Sequence, residues 1–284
     1  MTTNNLMDQI NNAADTLVDQ TEVSKGFEYT VAPAGYTVAR FVGYVEVGTQ
    51  PQRAYEGVEK PDAAEVRLTF ELLGPKHKTE YEVEGVKKTR YNLMRQTLTI
   101  SNNEKSNFFK LLNKMIAGRS GIKHMAQMLG EGFLIMVTHS KSKDGKKTYA
   151  NMKSDVWNIG APAHTDPISN ETIVLAVPET TQATQLLLWG SPSTEQWATI
   201  FIDGTYEKEV DGVKISKSKN FLQETCMSAS NFSGSALESL LGGSEDLVAA
   251  MSAPPAEKAP APVVEKAPPA DALAVNDPLA ALGL

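Results

Sequence analysis

Four lysines, Lys141, Lys143, Lys146 and Lys147, crowd around the turn dipeptide Asp144-Gly145, and Tyr149 follows at once. Ammonium groups at this density neutralise a polyanion, and a neighbouring ring offers a flat face to stack against. Other cations and rings sit near each other upstream: Arg40 between Tyr36 and Tyr44, then Arg67, then Arg90, Tyr91 and Arg95, with Lys153 beyond the turn. Guanidinium and ammonium groups match phosphate, and tyrosine faces match unstacked bases. Each residue also has a plain alternative. The lysine turn reads equally as a solubilising tip, each tyrosine as a core residue with a satisfied hydroxyl, and each arginine as a solvated cation. Only the grouping carries weight.

Other chemistry is poorly served. The chain holds no GxxxxGK[ST] or GxGxxG segment, so no phosphate-cradling loop is expected. His77, His124, His139 and His164 stand far apart, outside any HExxH or CxxC setting. Cys226, the single cysteine, excludes an internal disulfide and reads as a buried structural thiol. The carboxylates form no compact array suited to a nuclease centre. No catalytic residue, metal ligand or cofactor is assigned, and the chain is not read as an enzyme.

The net charge of -7 over 284 residues conceals a segregation. Residues 36–160 carry +7, whereas 1–35 carry -4, 161–244 carry -6 and 245–284 carry -4. A basic middle between acidic arms suits a polyanion binder whose arms compete for its own groove, although surface charge also fluctuates by chance. The N-terminus lacks the basic and apolar regions of a signal peptide, and no apolar run reaches the length of a membrane helix. A protein of a reducing cytoplasm, with no membrane partner, is expected.

Positioning these side chains falls to a run of strands. The segment YTVARFVGYVEV alternates, with Tyr36, Val38, Arg40, Val42 and Tyr44 on one face and Thr37, Ala39, Phe41, Gly43 and Val45 on the other. A Gly/Pro-punctuated connection over 48–62 follows. The next strand, 64–73, turns Val66, Leu68, Phe70 and Leu72 inward and Arg67, Thr69 and Glu71 outward. A charged stretch, 76–88, leads to a third strand over 89–100. Phe108, Leu111, Leu112, Met115 and Ile116 then recur at helical spacing until Gly118, and 123–129 is a shorter helical piece. Phe133 to Val137 reads as a fourth strand, and 148–157 as an alternating fifth with Tyr149, Lys153 and Trp157 on one face.

Strand, strand, strand, helix, strand, strand is the order of an OB-fold, a five-stranded Greek-key barrel. That fold binds oligonucleotides on strands two and three, between the loops after strands one and four. Here those loops are the long 48–62 connection and the lysine turn. The expected fold class is therefore mainly β with helical insertions: an OB-fold over 30–160, an acidic N-terminal arm over 1–29, an α/β extension over 161–243 packed on the barrel, and a tail over 244–284. Within the extension, Ser193 reads as an N-cap, 200–206 and 210–215 as a hairpin around Asp211-Gly212, and 220–226 and 236–241 as helices. Trp189, Trp197 and Phe201 read as core. Residues 245–284 hold 12 Ala and 7 Pro, too little apolar surface to offset ordering, so disorder is expected there. Leu279, Leu282 and Leu284 form a short sticky tip suited to recruiting a partner protein.

The runs ARFVGYVEVGTQPQ, AEVRLTFELLGP and GKKTYANMKS, with FIDGTYE, SKNFLQE and ASNFSGSALESLL further on, resemble the single-stranded DNA-binding proteins of tailed bacteriophages. The similarity spans roughly residues 30 to 242. The resemblance implies an OB-fold, sequence-independent binding of single-stranded DNA, and a role in phage replication, recombination or repair in the host cytoplasm. It also implies recruitment of replication or recombination proteins through the tail. Many such proteins end in a densely acidic, aromatic-tipped tail; this chain ends in Leu284 with only Asp277 nearby. The DNA contacts expected are Tyr36, Arg40, Tyr44, Arg67, Arg90, Tyr91, Arg95, Lys143, Lys146, Lys147, Tyr149 and Lys153. A virion structural β-barrel without DNA affinity and a nuclease are the rival readings.

Overall fold

The computed structural model describes residues 31–54, 56–83, 85–166, 168–210 and 213–242. The N-terminal arm over 1–29 and the tail over 244–284, with its leucine tip, lie outside the described residues.

The chain is mainly β, with a few short helices. Its central sheet takes β1 (Gly35–Gln50), β2 (Ala63–Leu72), β3 (Lys78–Val83), β4 (Val86–Thr99), β5 (Gly132–Lys141) and β6 (Thr148–Asn151) in the order β3-β4-β2-β1-β5-β6. These pairings are all antiparallel, and β7 (Ile159–Gly160) adds to β5. The charged stretch around residue 80 thus joins the sheet as β3, forming a hairpin with β4. One face of the sheet carries the core. The Phe41 and Phe70 rings stack at 4.9 Å, and Phe133 meets Phe70 edge-on at 6.2 Å. Helix α1 (Asn107–Ile116) lays Phe108, Leu111 and Met115 onto that core. Ser106 caps it, its side chain accepting from the Phe109 amide at 3.0 Å.

The sheet is open. Among the described residues β6 and β7 pair with β5 alone, and no ladder returns from them to β3 or β4. Helix α1 lies against both β4 and β7. The indole nitrogen of Trp157 donates to the Asn107 carbonyl at 2.9 Å, tying the end of the last hairpin to the helix. That bond corrects the expected strand over 148–157. The ladder stops at Asn151, the chain loops through a bridge between Lys153 and Trp157, and Trp157 is buried and does not share a strand face with the exposed Tyr149.

A β-bulge decides the faces of β1. Phe41 opposes Phe70, but Gly43 opposes Thr69, so Val42 is an extra residue in the ladder. Because side chains alternate with period two, one extra residue moves everything after it to the other face. Tyr44 therefore joins Ala39 and Phe41 in the core, apart from Tyr36 and Arg40.

The segment after Gly160 covers much of the opposite, outer face. β8 (Ala163–Thr165) and β9 (Thr172–Val174) form a small hairpin. Residues 177–182 then cross the sheet: Val177 packs on Gly132, and Thr180 and Thr181 donate to the Glu71 carboxylate. Glu71, expected to face solvent, is buried for this reason; Thr69, also expected outward, is buried close against Gly43. β10 (Gln185–Leu187) pairs in parallel with Gly43–Val45 of β1, on the edge that β5 has left. Helix α2 (Thr194–Thr199), capped by Ser193, buries Trp197. A hairpin of β11 (Thr205–Val210) and β12 (Val213–Ser218), then α3 (Phe221–Met227) and α4 (Ala236–Gly242), complete the described chain. Phe201 stays 47% exposed, so its expected place in the core is not taken. Gly48, at φ +75°, lets the Trp189 ring lie directly on the β1 backbone; a Cβ there would stand 2.6 Å from the indole. Among the described residues no helix is long and apolar enough to cross a membrane.

Candidate nucleic-acid interface

Register shows which expected contacts share a surface. Tyr36, Arg40, Arg67, Tyr91, Arg95 and Tyr149 all belong to the outer face, because each lies opposite, or an even number of positions from, a residue of that face. The crossing segment divides them.

On one side, Arg67 of β2 and Arg95 of β4 are diagonal neighbours: Arg67 opposes Thr97 and Thr69 opposes Arg95. Such neighbours stand roughly 7–8 Å apart. They share a groove of about 320 Å³ with Thr69, Thr97, Gln185 and Phe221. No acidic side chain lines it, and among the described residues neither arginine has a carboxylate within ion-pairing distance. The Arg67 guanidinium stands 5.6 Å from the centre of the Phe221 ring, and one terminal nitrogen reaches the Thr225 hydroxyl at 3.4 Å. Its Nε is buried with no hydrogen-bond partner. Arg95 is exposed at the edge of the groove; partial desolvation there lowers its pKa from the ordinary value, yet a guanidinium remains charged. Thr97 also borders two further hollows, one lined by Arg53, Lys60 and Glu65, whose carboxylate accepts from Gln52 at 2.9 Å, and one by Lys105. The concave track therefore runs from the arginine groove toward the loop after β1.

On the other side, Lys146, Lys147 and Tyr149 line a hollow at the tip of the β5–β6 hairpin, with Lys143 exposed beside it. Tyr36, 74% exposed, lies back along the same face opposite Met136. Asp144 shapes the turn: hydrogen bonds from Ser142 and the Lys146 amide hold its carboxyl below the usual range.

The remaining expected contacts are used differently. Arg40 donates to the carbonyls of Gly130, Val177 and Pro178, at 2.8, 3.0 and 2.9 Å, and so pins the crossing segment. Tyr44 is buried, its hydroxyl donating to Glu46 at 2.9 Å; burial, then the Glu46 charge, raises its pKa. No face of that ring is open to a base, which removes Tyr44 as a stacking platform. Arg90 sits over the Tyr81 ring on the β3–β4 hairpin, at 5.6 Å. Tyr91, half-buried, opposes Lys78. Lys153 lies over Trp157 at 6.0 Å, in a hollow shared with Lys110 and Lys114 of α1, apart from the outer face. One channel gathering every expected residue is therefore not formed. Phe221 escaped the sequence reading because nothing local links it to β2.

Cys226 is buried, and burial pushes its thiol up to about 12, so little thiolate exists near neutrality. Among the described residues no group of three His, Cys, Asp or Glu side chains is placed to hold a metal ion. Comparison with family models, curated proteins and solved structures finds no match for this chain.

Proposed function

We propose that the chain binds single-stranded DNA without regard to sequence, along the outer face of β2 and β4, and serves replication, recombination or repair. The observation that carries this reading is the groove between Arg67 and Arg95: two guanidiniums face one trough with no carboxylate to neutralise them. Arg67 is half-buried there and Arg95 stays exposed at its edge, so the trough presents positive charge for which an anionic occupant is the natural complement. The continuation past Thr97 to Arg53 and Lys105 gives the occupant length, as a phosphate chain has. Strand order favours the same reading. β1, β2, β4, β5 and β6 follow the order of an OB barrel's five strands, with α1 between the third and fourth, so the sheet reads as an opened form of that barrel. The groove then lies on strands two and three, where such barrels hold oligonucleotides.

Anisotropy of a labelled dT oligomer with the full chain, titrated across salt, tests the proposal. Log affinity should fall linearly with log salt, by about 0.7 for each phosphate neutralised. Competition by unlabelled duplex should be weak. Binding that is absent at low salt, or equal for duplex, would overturn the reading.

A further inference from the structure

The cationic groove has two walls, and only one belongs to the sheet. The other is built from residues more than 85 positions downstream: Gln185 of β10, Ile202, and Phe221 and Leu222 of α3. Phe221 opens α3 with 45% of its surface exposed, although it is a large apolar residue beside a packed helix. Its neighbour Leu222 is buried, which fixes the helix and therefore the ring. Arg67 lies over this ring, and its buried Nε has a proton with nowhere to go. Arg95 faces the same space from the next strand.

We propose that the C-terminal extension is half of the binding site. Phe221 stacks one base of a single strand, while Arg67 and Arg95 grip the adjoining phosphodiester from the sheet side. This rests on the single-strand reading above. The terminal nitrogens of Arg67 and the Arg95 fork supply donors to non-bridging phosphate oxygens, which are acceptors only. A groove of about 320 Å³ admits a nucleotide unit but not a duplex, whose bases are already stacked on each other. Every base has a stacking face, so this contact discriminates strandedness and not sequence.

Affinities of the full chain and its Phe221→Ala, Phe221→Trp and Arg95→Ala variants for dT oligomers test this, with and without one abasic position, across salt. Phe221→Ala should weaken binding about tenfold with an unchanged salt slope, because a ring carries no charge. Phe221→Trp should restore it. Arg95→Ala should lower the salt slope by about 0.7. Scanning the abasic position should find one that weakens the parent chain and the Trp variant but leaves Phe221→Ala unaffected. If the chain binds but the variants match it in affinity and slope, the two-walled site is wrong and the broader reading stands. If the parent chain fails to bind at all, both fall. Should Phe221→Ala prove unfolded by circular dichroism, the abasic scan on the parent and Trp proteins decides: a uniform response refutes the site.

Discussion

Replacing Arg40 by alanine should unfold the protein more easily while leaving its contacts to DNA intact. Arg40 holds the Gly130 carbonyl at 2.8 Å and the Val177 carbonyl at 3.0 Å, both part-buried, and the exposed Pro178 carbonyl at 2.9 and 3.1 Å. Hydrogen bonds to a charged group contribute about 1.5–3 kcal/mol each, but bonds sharing one guanidinium do not add fully. The Glu179 carboxylate at 3.2 Å contributes almost nothing, being 89% exposed. Counting the two part-buried carbonyls gives a loss of about 2–4 kcal/mol. For a domain of this size each kcal/mol shifts Tm by about 2–4 °C, so a fall of about 4–16 °C is expected. Arg40→Lys, which keeps the charge but loses the fork, should recover only part of it. Urea and thermal unfolding give the stability, and anisotropy well below Tm gives the affinity and salt slope. An unchanged unfolding midpoint together with a shallower salt slope would mean that Arg40 meets phosphate and not carbonyl.

Gly48→Ala should cost about 2–5 kcal/mol, combining about 1–2 for a left-handed alanine with about 1–3 for overpacking against Trp189 and Ala229. A urea midpoint equal to that of the parent would contradict the close approach. His77 is buried in the turn between β2 and β3, and burial, then the Lys76 charge, lowers its pKa below the usual 6.5. The folded state therefore favours neutral imidazole, so its contribution is complete above pH about 6.5 and lost as pH falls below that value. Urea midpoints between pH 7.5 and 5 should drop less for His77→Gln than for the parent, and equal drops would clear His77.

What could be read from the sequence was what neighbours in the chain decide. The alternation of Val66, Leu68, Phe70 and Leu72 specified the inner face of β2, and the spacing of Phe108, Leu111 and Met115 specified the buried stripe of α1. Ser193 declared its helix through local hydrogen-bond chemistry alone. The bulge at Val42 was opaque, since one extra residue leaves the composition of a strand unchanged. Gly43 was the available signal, because a glycine inside an alternating run often accompanies a bulge. Its Cβ would stand 2.9 Å from that of Thr69, so the ladder needs glycine there.

Covering of the outer face was opaque for a different reason. Glu71 is satisfied by Thr180 and Thr181, and Arg67 is faced by Phe221, at separations no periodicity spans. The charge segregation acquires a physical meaning from this arrangement. An acidic extension folded over a basic sheet ought to quench it, and at Arg40 it does bring one carboxylate, Glu179, into contact. At Arg67 the same extension presents Gln185, Ile202, Phe221 and Leu222, amide and apolar groups that cover the guanidinium without neutralising it, while Arg95 stays exposed at the edge of the groove. Enclosure lowers the local dielectric and strengthens any later contact with an anion, which open solvent around a bare sheet would weaken. The acids of the extension thus matter by where they are absent: a groove walled by carboxylates would repel phosphate, and one left unwalled would hold it only loosely.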